Sequence, residues 1–155
     1  MINFHDWRIV ENVEVLGVSD ESFDWDEEET GLDYQTLQQQ AWDIAKQAPI
    51  NILRDKNLSA VALLNGQVVG TCFTSWNQEE YSFDVIVSPK FQQQGIGKKL
   101  IDYAMSMFRW DSDGREGAHI KAEVVNKNLI PLLARMGFKT KGVFQGITVM
   151  TYGDE

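Results

Sequence analysis

Residues 81–101, YSFDVIVSPKFQQQGIGKKLI, constrain the fold more than any other stretch, because the chain must pass there from a strand into a helix through a loop carrying two glycines. Phe83, Val85 and Val87 alternate with Ser82, Asp84 and Ser88, the period of a half-buried strand, although Ile86 makes the centre apolar on both sides. Pro89 removes a backbone donor and biases Ser88 towards an extended conformation, so the strand is expected to stop there. From Gly95 the period becomes helical. Ile96, Leu100, Tyr103, Ala104, Met107 and Phe108 recur at three and four residues and predict one buried helix face.

Between strand and helix lie Gln92, Gln93, Gln94, Gly95, Ile96 and Gly97, followed by Lys98. The first turn of a helix has N–H groups without internal acceptors, and the helix dipole adds partial positive charge, so such a turn attracts anions. A bare QxxGxG is also compatible with a loosened turn that binds nothing. Strand, proline, loop and amphipathic helix in that order are the context that makes it informative. Neither a GxxxxGK[ST] nucleotide loop nor the full three-glycine dinucleotide fingerprint is present.

On Val87, Pro89, Gln92, Gly95 and Gly97 the run resembles the signature of the GNAT superfamily of N-acetyltransferases. The resemblance implies acetyl-CoA as cosubstrate. Its pyrophosphate would lie on Gln92, Gln93, Gln94, Gly95, Ile96, Gly97 and Lys98, and its pantetheine amides on the backbone of Ile86 and Val87. Arg135-Met136-Gly137-Phe138 matches the family's closing Lys-x-Gly-Phe with Arg in place of Lys.

The 155 residues suit a single domain spanning 1–155, large enough to bury a core without metals or disulfides. Cys72, the lone cysteine, stands in an apolar run and reads as a buried, inert thiol. The start lacks the basic cluster and apolar run of a leader, and no stretch of about 20 apolar residues occurs, so a cytoplasmic, non-membrane protein is expected. A net charge of −9 opposes binding to nucleic acid or anionic lipid. Seven carboxylates between Asp20 and Glu29, with Phe23 and Trp25 among them, read as a solvated loop or, by the resemblance, as an acidic lip suited to a cationic acceptor.

In order, the chain predicts a strand near 12–18, a helix from Asp33 to Pro49 and two strands about Asn65-Gly66, a strong two-residue hairpin signal. The central strand and helix follow, then a strand over His119–Val125, a short helix capped by Asn128, and a hairpin about Gln145-Gly146. This order resembles the GNAT fold throughout. The resemblance implies a mixed α/β (α+β) architecture: a mostly antiparallel sheet of about seven strands, helices on both faces, and a splayed parallel pair into which pantetheine slots.

Acetyl transfer to an amine requires a base for the nucleophile, a polarised carbonyl and a proton for the departing thiolate. Carboxylates on the splayed strands are the candidate bases. Asp84 and Glu123 rank first, and Glu79 and Glu80 stand at the strand's entrance. Each also reads as a solvated strand residue or a partner of Lys121. The family's usual acid, a tyrosine, is replaced by Leu133, which leaves water, Tyr81 or Tyr103. By the resemblance the family's cosubstrate-contacting asparagine has two claimants, Asn126 counted back from Gly137-Phe138 and Asn128 counted on from Glu123; Asn126 is preferred for the cosubstrate and Asn128 for the helix cap. Trp76, Tyr81 and Phe73 are candidates for an acceptor wall or for core. No metal-ligand spacing such as CxxC or HExxH occurs. A small-molecule or peptide amine is the expected acceptor, and a homodimer is left open. A non-catalytic acyl-CoA-binding or acidic protein-interaction module on the same fold is the rival reading.

Overall fold

The computed structural model describes residues 13–18, 34–77, 80–92, 95–111 and 119–152. The acidic run 20–29, the cap at Asp33, Glu79, Gln93 and Gln94 lie outside the described residues. Seven strands form one sheet in the order β1-β2-β3-β4-β5-β7-β6. They are β1 (Val13–Gly17), β2 (Asn57–Leu64), β3 (Gln67–Asn77), β4 (Glu80–Val87), β5 (His119–Val124), β6 (Lys139–Phe144) and β7 (Ile147–Tyr152). Every neighbouring pair is antiparallel except β4 and β5, which run parallel. The helices are α1 (Tyr34–Ala45), α2 (Ile50–Leu53), α3 (Ile96–Asp111) and α4 (Ile130–Arg135). No described helix is long and apolar enough to cross a membrane.

Local chemistry sets the two hairpins. Asn65 and Gly66 have φ of 53° and 78°, and Gln145 and Gly146 have 55° and 81°, the left-handed pair whose twist matches that of the flanking strands. Gly137, at φ 105°, closes α4 while Phe138 N–H returns to Leu133 C=O at 3.0 Å, a helix stop that favours glycine.

The sheet is covered on both faces. Leu37 and Ala41 of α1 pack with Val61, Leu63 and Val68, and Ala45 with Leu53, Phe73 and Ile86, on one face. On the other, Ile96, Leu100, Ile101, Ala104 and Met105 of α3 meet Tyr81, Phe83, Val85, Val87 and the inward residues of β5. Gly70 permits this approach, since a Cβ there would lie 2.8 Å from Leu100 Cδ1.

Three expectations change. The central strand is not half-buried: all of Tyr81–Val87 is buried, Asp84 and Ser82 included, because β4 lies mid-sheet between helices on both faces. The buried stripe of α3 also takes in Ile101 and Met105. Asn128 caps no helix: α4 is preceded by a 3-10 turn over Lys127–Leu129, and neither helical segment has a side-chain cap. Gln40 of α1 accepts the Val68 N–H at 2.9 Å.

Candidate active site

The β4–β5 ladder pairs Glu80 with His119, Tyr81 with Ile120, Ser82 with Lys121 and Phe83 with Ala122, and there it ends. Asp84 and Glu123 are the next residues on each strand. Side chains alternate along a strand, so both project towards α1 and α2, opposite the α3 face that takes Phe83 and Ala122. Asp84 Oδ1 accepts the Glu123 backbone N–H at 3.2 Å, so a carboxylate ties the two strands together where the ladder stops.

Lys56, the last residue before β2, completes the group. Its Nζ donates to Asp84 Oδ2 at 3.3 Å, to Glu123 Oε1, and to the Ile52 carbonyl at 3.0 Å, which accounts for all three ammonium protons. The Asp84 side chain is fully buried and that of Lys56 is 5% exposed, whereas that of Glu123 is 18% exposed. Glu123 is therefore the member that solvent or an acceptor can reach. Burial pushes the Asp84 carboxyl up to about 7. Lys56 opposes that rise and the negative charge of Glu123 adds to it. Sequence reasoning missed Lys56, because a single lysine between Asp55 and Asn57 carries no pattern of its own.

Beyond this cluster the strands diverge around Val87. The short bond from Ser88 N–H to Val69 C=O, 2.9 Å, fixes the alternation of the β3–β4 ladder. It turns the peptide groups of Ile86 towards β3 and those of Val85 and Val87 towards the gap. Ile86, expected to offer its backbone to pantetheine, is thus committed to the sheet, and Thr71 Oγ1 adds a bond to its carbonyl at 3.3 Å. The groups of Val87 are held by side-chain amides. Its N–H donates to Asn126 Oδ1 at 2.7 Å, and its carbonyl accepts from Gln47 Nε2 at 3.0 Å and Gln92 Nε2 at 3.1 Å. Asn126 Nδ2 in turn donates to Gln47 Oε1 at 2.9 Å. Gln47 follows α1, and no sequence signal marked it.

A cleft of about 260 Å³ opens beside Val87, lined by Gln92, Gly95, Gly97, Lys98, Asn128 and Arg135 with Leu129 and Leu132. Lys98 also pairs with Asp102 at 2.8 Å on the exposed side of α3. Gly95 takes φ 84°, a conformation that favours glycine, and a Cβ on Gly97 would lie 2.5 Å from Leu129 Cδ2, so the Leu129 side chain would have to shift to admit one. Ile96 is fully buried beneath the turn. Asn128 Nδ2 donates to Gln92 Oε1 at 3.3 Å, while its buried Oδ1 has no hydrogen-bond partner among the described residues. Of the two asparagines, Asn126 thus holds Val87 and Asn128 faces the cleft. Nearer Glu123, a void of about 10 Å³, the size of one water, is lined by Phe83, Val85, Ala122, Leu129 and Leu133.

Other candidates fall outside this arrangement. Tyr81 is corrected from proton donor to core: it is 1% exposed on the α3 face, and its hydroxyl donates to the Ala104 carbonyl at 2.8 Å. Trp76 packs with Tyr81 and Phe108 on that face, whereas Phe73 lies on the other under Trp42, ring centroids 5.0 Å apart. No single wall holds all three. Glu80, four residues before Asp84, pairs with Lys121 at 3.5 Å, so it, and not Glu123, is the partner of Lys121. Cys72 is fully buried, and burial, with the charge of Asp84 behind it, raises its thiol far above the ordinary range, as an inert thiol should show.

A family model described as an acetyltransferase (GNAT) domain matches residues 55–140, more than half of the chain. Solved structures agree with the fold. The PaiA N-acetyltransferase of Thermoplasma acidophilum, in complex with coenzyme A, aligns over 90% of this chain and 98% of its own at 14% identity and a TM-score of 0.55. A GNAT family acetyltransferase from Elizabethkingia anophelis with acetyl-CoA bound covers 92% and 98% at 14% identity and 0.55. The ribosomal-protein-S18-alanine N-acetyltransferase of Escherichia coli covers 90% and 92% at 14% identity and 0.53. A comparison with curated proteins finds no match. With the family model spanning Lys56, the parallel strand pair, the glycine turn and the Arg135–Phe138 close, the chain belongs to the GNAT family of acetyltransferases.

Proposed function

We propose that residues 1–155 act as a single catalytic domain that transfers the acetyl group of acetyl-CoA to a primary amine by direct attack, with Glu123 taking the proton that the amine gives up. The observation that carries this reading is the end of the β4–β5 ladder at Phe83 and Ala122, beyond which the one partly exposed carboxylate of the cluster lies on β5 and Val87, further along β4, lines the Lys98–Arg135 cleft.

The residues of the cleft fit the cosubstrate. Lys98, Arg135 and the open end of α3 suit a diphosphate, and the unpartnered Asn128 Oδ1 suits a ligand N–H. The gap-facing groups of Val87 suit a pantetheine amide, which would replace the amides of Gln47 and Gln92 now bonded there. Much of the rate would come from positioning amine and thioester together. The amine nitrogen attacks the thioester carbonyl carbon, the C–S bond breaks, and the amine proton passes to the Glu123 carboxylate. Leu133 gives the departing sulfur an apolar wall and no proton, which leaves solvent as the donor.

The same leucine favours a second reading, a module that binds acyl-CoA without turning it over. Thiol release from acetyl-CoA against a panel of small amines and peptide N-termini separates the two. Amine-dependent release is expected. Binding of acetyl-CoA, seen as a raised unfolding temperature, with no release above hydrolysis for any amine would select the non-catalytic module.

A further inference from the structure

Two carboxylates and one ammonium, all but one fully or nearly fully out of water, share a single nitrogen at the mouth of the gap. Fully ionised, the group carries one net negative charge, and one added proton makes it neutral.

We propose that Lys56 is a positioning residue for the transfer: by bonding Asp84 and Glu123 at once it makes the two carboxylates a single one-proton acceptor and aims the Glu123 carboxylate at the gap. This rests on the reading of Glu123 as base. Above about pH 7, where Asp84 is ionised, the proton leaves the amine nitrogen for Glu123, the cluster passes from one negative charge to none, and Lys56 keeps its own three protons on the Asp84, Glu123 and Ile52 oxygens. Without the ammonium, two carboxylates would face each other at the end of the ladder, and each would hold a proton more tightly.

Among the described residues, Lys56 is the cation paired with the two carboxylates, and its neighbours Arg54 and Asp55 are exposed. On the same face, the residue paired with Asp84 from β3 is Phe73, and the one paired with Glu123 from β7 is Val149, both uncharged. The next strand contributes Leu58. From α1, Asp43 and Lys46 pair with each other on the exposed side. Across the sheet lies the Cys72 thiol, which burial keeps protonated. Glu80 and Lys121 pair with each other at the far end of the ladder.

The test is the pH profile of kcat/KM for one amine, measured on the full chain for wild type, Lys56→Met and Lys56→Arg. Loss of the charge is expected to move the low-pH limb, where the base must lose its proton, upward by about 1 to 3 pH units, while arginine, which keeps the charge, returns it to the wild-type position. A structural role alone would change stability and leave the limb where it was. Should Lys56→Met not fold, Lys56→Gln carries the same comparison. The inference is overturned if the neutral variant keeps the wild-type limb while Glu123→Gln is inactive, an outcome that leaves Glu123 as base. It is overturned together with that base if Glu123→Gln turns over like wild type.

Discussion

Glutamine in place of Glu123 is expected to lower kcat by roughly 10²- to 10⁴-fold, the range typical of losing a positioned base, while the KM for acetyl-CoA stays near its parent value. The substitution is close to isosteric. Its carbonyl oxygen can still accept from Lys56 Nζ, and the backbone N–H that binds Asp84 Oδ1 is unchanged. What the amide cannot do is take a proton. Because the side chain is the exposed member of the cluster, it is also the one whose change an acceptor amine would sense directly. Steady-state kinetics with acetyl-CoA and amine each varied in turn checks this. A kcat within about threefold of wild type would remove Glu123 from the chemistry.

The second large effect is on stability. Asp84 is raised from an ordinary 3.8 to about 7, chiefly by burial. Between those values the folded chain holds a proton that the unfolded chain has released, so the folded state binds more protons across that window. The stability from this group is full below about pH 4 and declines as pH rises through about 7, by a total on the order of 4 kcal/mol. Denaturant unfolding at intervals from pH 5 to 8.5 should therefore show stability falling up to about pH 7 and levelling above it, and Asp84→Asn should flatten the falling part. An unchanged slope in the variant would mean that Asp84 is ionised throughout. A chain that tolerates such a penalty mid-sheet, where a leucine or valine would serve the core better, retains a carboxylate at the gap at a cost in folding.

The fold was legible where the determinants are local. Asn65-Gly66 and Gln145-Gly146 specify their turns through two residues each, and the switch from period two to helical spacing around Gly95 located both the central strand and α3. Asp84 and Glu123 were legible as candidates because they flank the motif on adjacent strands. Their burial was not, because it depends on which strand ends up in the middle of the sheet. Lys56 lies 28 residues from Asp84 and 67 from Glu123, and Gln47 lies 40 from Val87, so neither contact leaves a periodic trace. Tyr81 illustrates the opposite error. It stood as a proton donor only because Leu133 replaces the family's tyrosine, but strand alternation puts it on the α3 face with its bond already made to Ala104.

The central claim is that acyl-CoA enters the gap between β4 and β5 and takes over the Val87 peptide from the Gln47, Gln92 and Asn126 amides. A crystal structure of the chain with coenzyme A measures this directly. The expected result is a diphosphate within hydrogen-bond distance of the Gly95–Lys98 turn and a pantetheine amide on Val87, with Gln47 swung out. Coenzyme A bound elsewhere, with Gln47 and Asn126 still closed on Val87, would contradict it.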